Sequence, residues 1–167
     1  MRLTLEEVID TRWTELIHAE WTRNVLQNRP DLTITQLRRV CDLMNLHAEN
    51  ALVNGFEHLI DDLKLPDLDD RHVLAAAIHA RASVIVTFNL KDFPNAILES
   101  YGIRAIHPDE FVMDAISHNL EAVLTAMRKQ RSQLKKPALT AMEFLAQLEQ
   151  QGLSNTANRL AIFHEQF

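Results

Sequence analysis

The stretch that most restricts the fold is a short β-branched run, Ser83-Val84-Ile85-Val86-Thr87, set directly after an alanine-rich segment over 70–80. A run of this length and composition predicts a buried parallel strand. In the segment before it, Val73, Leu74, Ala77 and Ile78 share one helical face, and Ala75, Ala76 and Ala77 are small enough to pack close to a sheet. A crossover helix is predicted over 94–101, closed by Gly102, which suits the left-handed position after a helix. A second strand over 103–107 completes a strand–helix–strand unit. The main domain is therefore expected to be α/β, with functional side chains at the carboxyl ends of the strands.

Helices are predicted on either side of this unit. Over 13–27, Trp13, Leu16, Ile17, Trp21 and Val25 make a broad apolar stripe, and over 35–47 Leu37, Val40, Cys41 and Met44 make another. A weak strand over 51–56 and a short helix over 57–63 follow, and Asp67 and Asp69 are placed as N-caps for the 70–80 helix. Leu3, Leu5, Val8 and Ile9 suggest a helix leading into the Trp13 segment. After Pro108 the β signal stops. Helices are expected over 109–116 and 118–134, the latter broken by Lys135-Lys136-Pro137. A Thr140/Glu143 capping box opens another that Gly152 closes, and Ser154 caps a last one over 155–163. The expected division is an α/β domain over 1–112 and a small all-α domain over 113–167.

Bulk properties exclude several classes. With 3 glycines and no G-x-x-x-x-G-K-[ST] or G-x-G-x-x-G pattern, a phosphate-cradling loop is not expected. The single cysteine, Cys41, lies in an apolar helical pattern and reads as a buried structural thiol, which fits a reducing cytoplasm. No segment has the length of a membrane span and the start does not resemble a signal peptide, so a cytoplasmic protein is expected. The net charge of −6 argues against a basic nucleic-acid coating, although a divalent ion in a carboxylate pocket supplies positive charge locally.

Three places hold carboxylates or amides that local structure does not fully explain. Glu20 lies three residues after Ile17, on the stripe expected to be buried, where a carboxylate needs a salt bridge, a metal or the edge of the core. Asp70 precedes Val73 and Leu74 and so points toward the sheet, though a helix-start acid needs no function. The loop Thr87-Phe88-Asn89-Leu90-Lys91-Asp92 leaves a strand's carboxyl end, where Asn and Asp also serve ordinary turns. Gathered at one sheet edge, these hard oxygens would bind Mg²⁺ or Mn²⁺.

The run Leu-Pro-Asp-Leu-Asp-Asp-Arg-His-Val-Leu-Ala-Ala-Ala-Ile, then Ala-Ser-Val-Ile-Val-Thr-Phe-Asn-Leu-Lys-Asp-Phe-Pro, resembles the second half of PIN domains. Ile-His-Ala-Glu-Trp-Thr-Arg-Asn resembles the helix that bears their second acid, and His-Pro-Asp-Glu-Phe with the helices beyond it is similar to a VapC-like subgroup with an extra helical domain. The resemblance implies a metal-dependent endoribonuclease, the toxin of a type II toxin–antitoxin pair. It implies RNA as substrate and a cognate antitoxin as partner, and it leaves a homodimer open. By position it makes Glu20, Asp70, Asn89 and Asp92 the catalytic set, with Glu20, Asp70 and Asp92 holding Mg²⁺ or Mn²⁺. It makes Arg71 and Thr87 substrate contacts, and His72 at most a substrate or structural contact. One departure stands out. PIN domains begin with a central strand ending in an Asp ligand, whereas 1–10 holds no β-branched run ending in Asp, and Asp10 is followed by Thr-Arg-Trp. The expected fold is thus a PIN-like parallel sheet flanked by helices with its first, central strand missing, and catalysis is expected to be impaired. The alternative is an inactive PIN-like module that docks an antitoxin or another chain; a purely helical adaptor is disfavoured by the 84–87 strand.

Overall fold

A computed structural model describes residues 9–48, 50–135 and 138–166. They form two compact units. Of the described residues, one contains 11–85 and 89–105, and the other 9–10, 86–88 and 106–166.

In the first unit, helix α1 (Glu15–Asn28) begins at Thr14, whose hydroxyl accepts from Ile17 N at 3.0 Å. Helix α2 (Ile34–His47) opens with a capping box between Thr33 and Gln36. The two helices pack on each other over Leu37 and Cys41, with His18 and Thr22 turned inward. Two stripe residues predicted to be buried, Leu16 and Val40, are instead exposed. The inward face of α1 is polar here. His18 Nδ1 accepts from Trp21 Nε1, its Nε2 meets Asn45 Oδ1 at 3.1 Å, and Trp13 Nε1 donates to the same oxygen at 2.7 Å. These partners satisfy a polar inward face, so His18 and Thr22 are buried while Leu16 faces out. The strand expected over 51–56 reduces to one parallel bridge, Trp13 with Leu52, because the chain bends at Gly55, whose φ is +82°. The helix expected next is a 3₁₀ segment, Glu57–Asp62.

Helix α3 (Arg71–His79) is the centre of the main core of this unit. Leu74, Ala75, Ala76 and Ala77 are buried against Val53, Phe56, Leu63, Leu65, Ile85, Phe93, Leu98 and Ile103. The small alanines permit that closeness, as the sequence suggests. Strand β1 (Val84–Val86) follows, then a 3₁₀ turn (Leu90–Asp92), the short helix α4 (Asn95–Leu98), a 3₁₀ turn (Glu99–Tyr101) and β2 (Arg104–Ile106). The two strands pair in parallel register, with Arg104 N donating to Ser83 O and Thr87 N to Ile106 O. Val86 is 43% exposed, so β1 buries one face rather than the two expected. The crossover contains one α turn and one 3₁₀ turn in place of a full helix, and it ends at Gly102 with φ +70° as expected.

The second unit is helical in its C-terminal part: α5 (Pro108–His118), α6 (Leu120–Gln133), α7 (Ala141–Gln150) and α8 (Ser154–Ala161). Val123, Leu124, Met127, Phe144, Leu148 and Leu160 form its core. The Thr140/Glu143 capping box is present. Ser154 does not cap α8; it is the first helical residue, and the N-cap Leu153 has no side chain to offer. The Asp109 carboxylate of α5 takes that role, accepting from Asn155 N at 2.9 Å and Thr156 N at 2.8 Å. The helix expected over the first residues lies outside the described residues, Ile9 excepted, as do Lys136 and Pro137 of the expected break. Among the described residues the fold is α/β with a small two-stranded parallel sheet. No described helix is long and apolar enough to cross a membrane.

Candidate metal centre

Asp70 is the N-cap residue of α3, but its side chain caps nothing. Its backbone sits in the helical region, and its carboxylate accepts from no first-turn amide. Two preceding anchors fix the approach to it, since Leu63 and Leu65 are buried in the α3 core. Between them and the helix, Asp67 Oδ1 accepts from Asp69 N at 2.9 Å, closing a tight turn, and Arg71 Nε donates to Leu68 O at 2.9 Å. Asp67 was expected to cap the helix; it shapes the turn before it instead.

Asp92 arrives from the other side of the core. It ends the 3₁₀ turn after β1, and buried Phe93 directly behind it pins that turn. Asn89 Nδ2 donates to Asp92 Oδ2, which holds the carboxylate in one orientation. The result is that one oxygen each of Asp67, Asp70 and Asp92 lies within 4.8 Å of the others. Asp67 belongs to this group of three but is absent from the site residues expected from the sequence. Its signal was the Asp67-x-x-Asp70 spacing across a proline-led turn.

Clustered carboxylates repel one another, and the effect is visible at Asp70. Burial first, then the neighbouring charges of Asp67, Asp92 and Glu20, raise its carboxyl above the ordinary range; His72 pulls the other way. Glu20, on α1, is therefore near enough to act on Asp70, yet it stands outside the group of three. Its Oε1 is 3.3 Å from Nε2 of His72, on the first turn of α3. Of the other expected residues, Asn89 serves Asp92, Arg71 straps the 68–71 turn, and Thr87 falls in the other unit, where its amide donates to Ile106 O.

Three hard oxygen donors converging within 4.8 Å, around a carboxyl raised above its ordinary range, fit a divalent metal such as Mg²⁺ or Mn²⁺. An ion there would remove the repulsion that raises Asp70.

Residues 108–161 match the model of the family described as VapC50 C-terminal domain. A protein of Mycobacterium tuberculosis (strain ATCC 25618 / H37Rv) named "Putative ribonuclease VapC50" is 46% identical over 78 residues, which is 45% of this chain and 46% of that protein. The chain is thus aligned to about half the length of the curated relative it matches. No solved structure matches it.

Proposed function

We propose that this chain, similar over 108–161 to the VapC50 C-terminal domain family and over 78 residues to a protein named "Putative ribonuclease VapC50", is a VapC-like PIN protein and a metal-dependent endoribonuclease, the toxin of a type II toxin–antitoxin pair. The observation that carries this reading is the meeting of Asp67, Asp70 and Asp92 within 4.8 Å around a carboxyl whose proton affinity is raised. Asp67, Asp70 and Asp92 would hold Mg²⁺ or Mn²⁺, with Glu20 completing the set from α1. When bound, the ion supplies an activated water and offsets charge on the phosphodiester. Asn89 keeps Asp92 turned to the centre, and Arg71 and Thr87 are proposed to meet the RNA. The β1–β2 pair belongs, on this reading, to a PIN-type sheet within a domain over 1–112, with 113–167 as the helical domain. RNA, a cognate antitoxin and a second copy of the chain are the proposed partners, in the cytoplasm.

The test is degradation of RNA by the purified chain. Activity should vanish with a chelator, return with Mg²⁺ or Mn²⁺, and be lost in Asp70→Asn. Cleavage that persists in excess chelator, or that Asp70→Asn retains in full, would overturn the assignment.

A further inference from the structure

One side chain beside the carboxylates is not explained by the packing of the core. His72, on the first turn of α3, is 8% exposed, yet neither ring nitrogen has an aligned hydrogen-bond partner among the described residues. A buried polar ring without partners costs free energy that an apolar residue would not, and the other buried residues of the helix are Leu74, Ala75, Ala76 and Ala77. The ring is directed at the acids. Its Nε2 is 3.3 Å from Glu20 Oε1, close but off the line of a good hydrogen bond, and it is near enough to influence the Asp70 carboxyl. It is not part of the group formed by Asp67, Asp70 and Asp92, so direct coordination of an ion seated on those three is not what it is placed for. The nitrogen that faces a carboxylate oxygen must carry a proton, because two lone pairs at that distance would repel. Such bonds are often misaligned without the ion and close when it binds.

We infer that His72 is a positioning residue: its Nε2–H holds one Glu20 oxygen so that the other is presented to a divalent ion on the Asp67–Asp70–Asp92 carboxylates. This rests on the reading of those carboxylates as a metal site. Glu20 comes from a different helix from the Asp70 turn, on a long and half-exposed side chain, 33% accessible. Left alone, it would lose rotamer freedom on joining the ion. A fixed donor from α3 removes part of that loss in advance, as outer partners of metal ligands generally do.

The experiment is titration of the full chain with Mn²⁺ in a calorimeter, without RNA. His72→Leu should weaken Mn²⁺ binding by about tenfold. His72→Gln, whose amide N–H reaches the same carboxylate, should recover most of the affinity. In a Glu20→Gln background, His72→Leu should add little, because its route to the ion is already gone. Should His72→Leu fail to fold, His72→Asn, too short to reach Glu20, carries the same expectation. Parent-like affinity in the His72→Leu or His72→Asn protein, or an undiminished loss in the Glu20→Gln background, would overturn the inference. Asp70→Asn separates the two levels. If it weakens Mn²⁺ and His72→Leu does not, only the role of His72 falls; if the parent binds no Mn²⁺, the metal-site reading falls with it.

Discussion

Asp70 and Asp109 each stand at the start of a helix, and they behave in opposite ways. Asp109, in the first turn of α5, is buried, which alone would raise its carboxyl, but the hydrogen bonds from Thr156 and Asn155 outweigh this and hold it below the ordinary range. Asp70 caps no amide and faces other carboxylates, so burial and repulsion both raise it. Position in a helix does not separate an acid that caps amides from one proposed to bind metal. What separates them is whether donors of the protein itself satisfy the charge. At Asp109 they do; at Asp70 no helix-start amide among the described residues does.

Exchanging each acid for its amide should part them most widely in activity. Asp70→Asn is expected to lower RNA cleavage about hundredfold or more, since even outer partners of a metal are worth about ten- to hundredfold. Asp109→Asn should leave the rate per folded molecule unchanged, with initial rates normalised to the folded fraction by circular dichroism. A large loss in Asp109→Asn would erase the distinction.

In stability the order reverses. Asp109→Ala leaves two helix-start amides without their acceptor and should cost about 2 kcal/mol, lowering the melting temperature by about 4–8 °C. Asp70→Asn should leave thermal unfolding at neutral pH unchanged or move it upward, since it relieves repulsion.

Mn²⁺ sharpens the contrast at smaller amplitude. At about ten times its dissociation constant it should stabilise the parent by about 1.4 kcal/mol. Thermal unfolding should show the same gain in Asp109→Asn and none in Asp70→Asn.

The pH dependence is the smallest effect and has opposite signs. Stability contributed by Asp109 is present above the ordinary carboxylate range and is lost as pH falls through its lowered folded value. For Asp70 the folded protein keeps its proton to higher pH, so the favourable contribution is full below the ordinary range and is lost as pH rises through the raised value. Urea unfolding from about pH 3 to 7 should therefore lose its acid fall in Asp109→Asn, and its decline toward neutral pH in Asp70→Asn. Identical pH profiles in the two variants would remove the basis of the comparison.

What was legible in the sequence was local. The β-branched run at 84–86, the alanine face of α3, Gly102 and the Thr140/Glu143 box all act within a few residues, and each is where its pattern puts it. Asp70 and Asp92 could be singled out because they flank those elements. The rest depended on partners distant in sequence. The inward face of α1 is set by Asn45, 27 residues from His18, which turned Leu16 outward. Asp67 looked like a cap until the turn it closes brought it to Asp92, and His72 gained meaning only when Glu20 came within 3.3 Å. The cap of α8 was assigned to Ser154 because nothing local marks an acceptor 46 residues upstream.

That distant cap bears on how the C-terminal helices come together. An eight-residue helix with no start signal of its own is a poor nucleus. The first turn of α8 gains its acceptor only when α5 has formed and Asp109 is in place, so the docking of α8 depends on α5. Once docked, its leading amides are clamped rather than left to fray. Exchange of the Asn155 and Thr156 amide protons should then follow opening of the whole bundle rather than breathing at a helix tip.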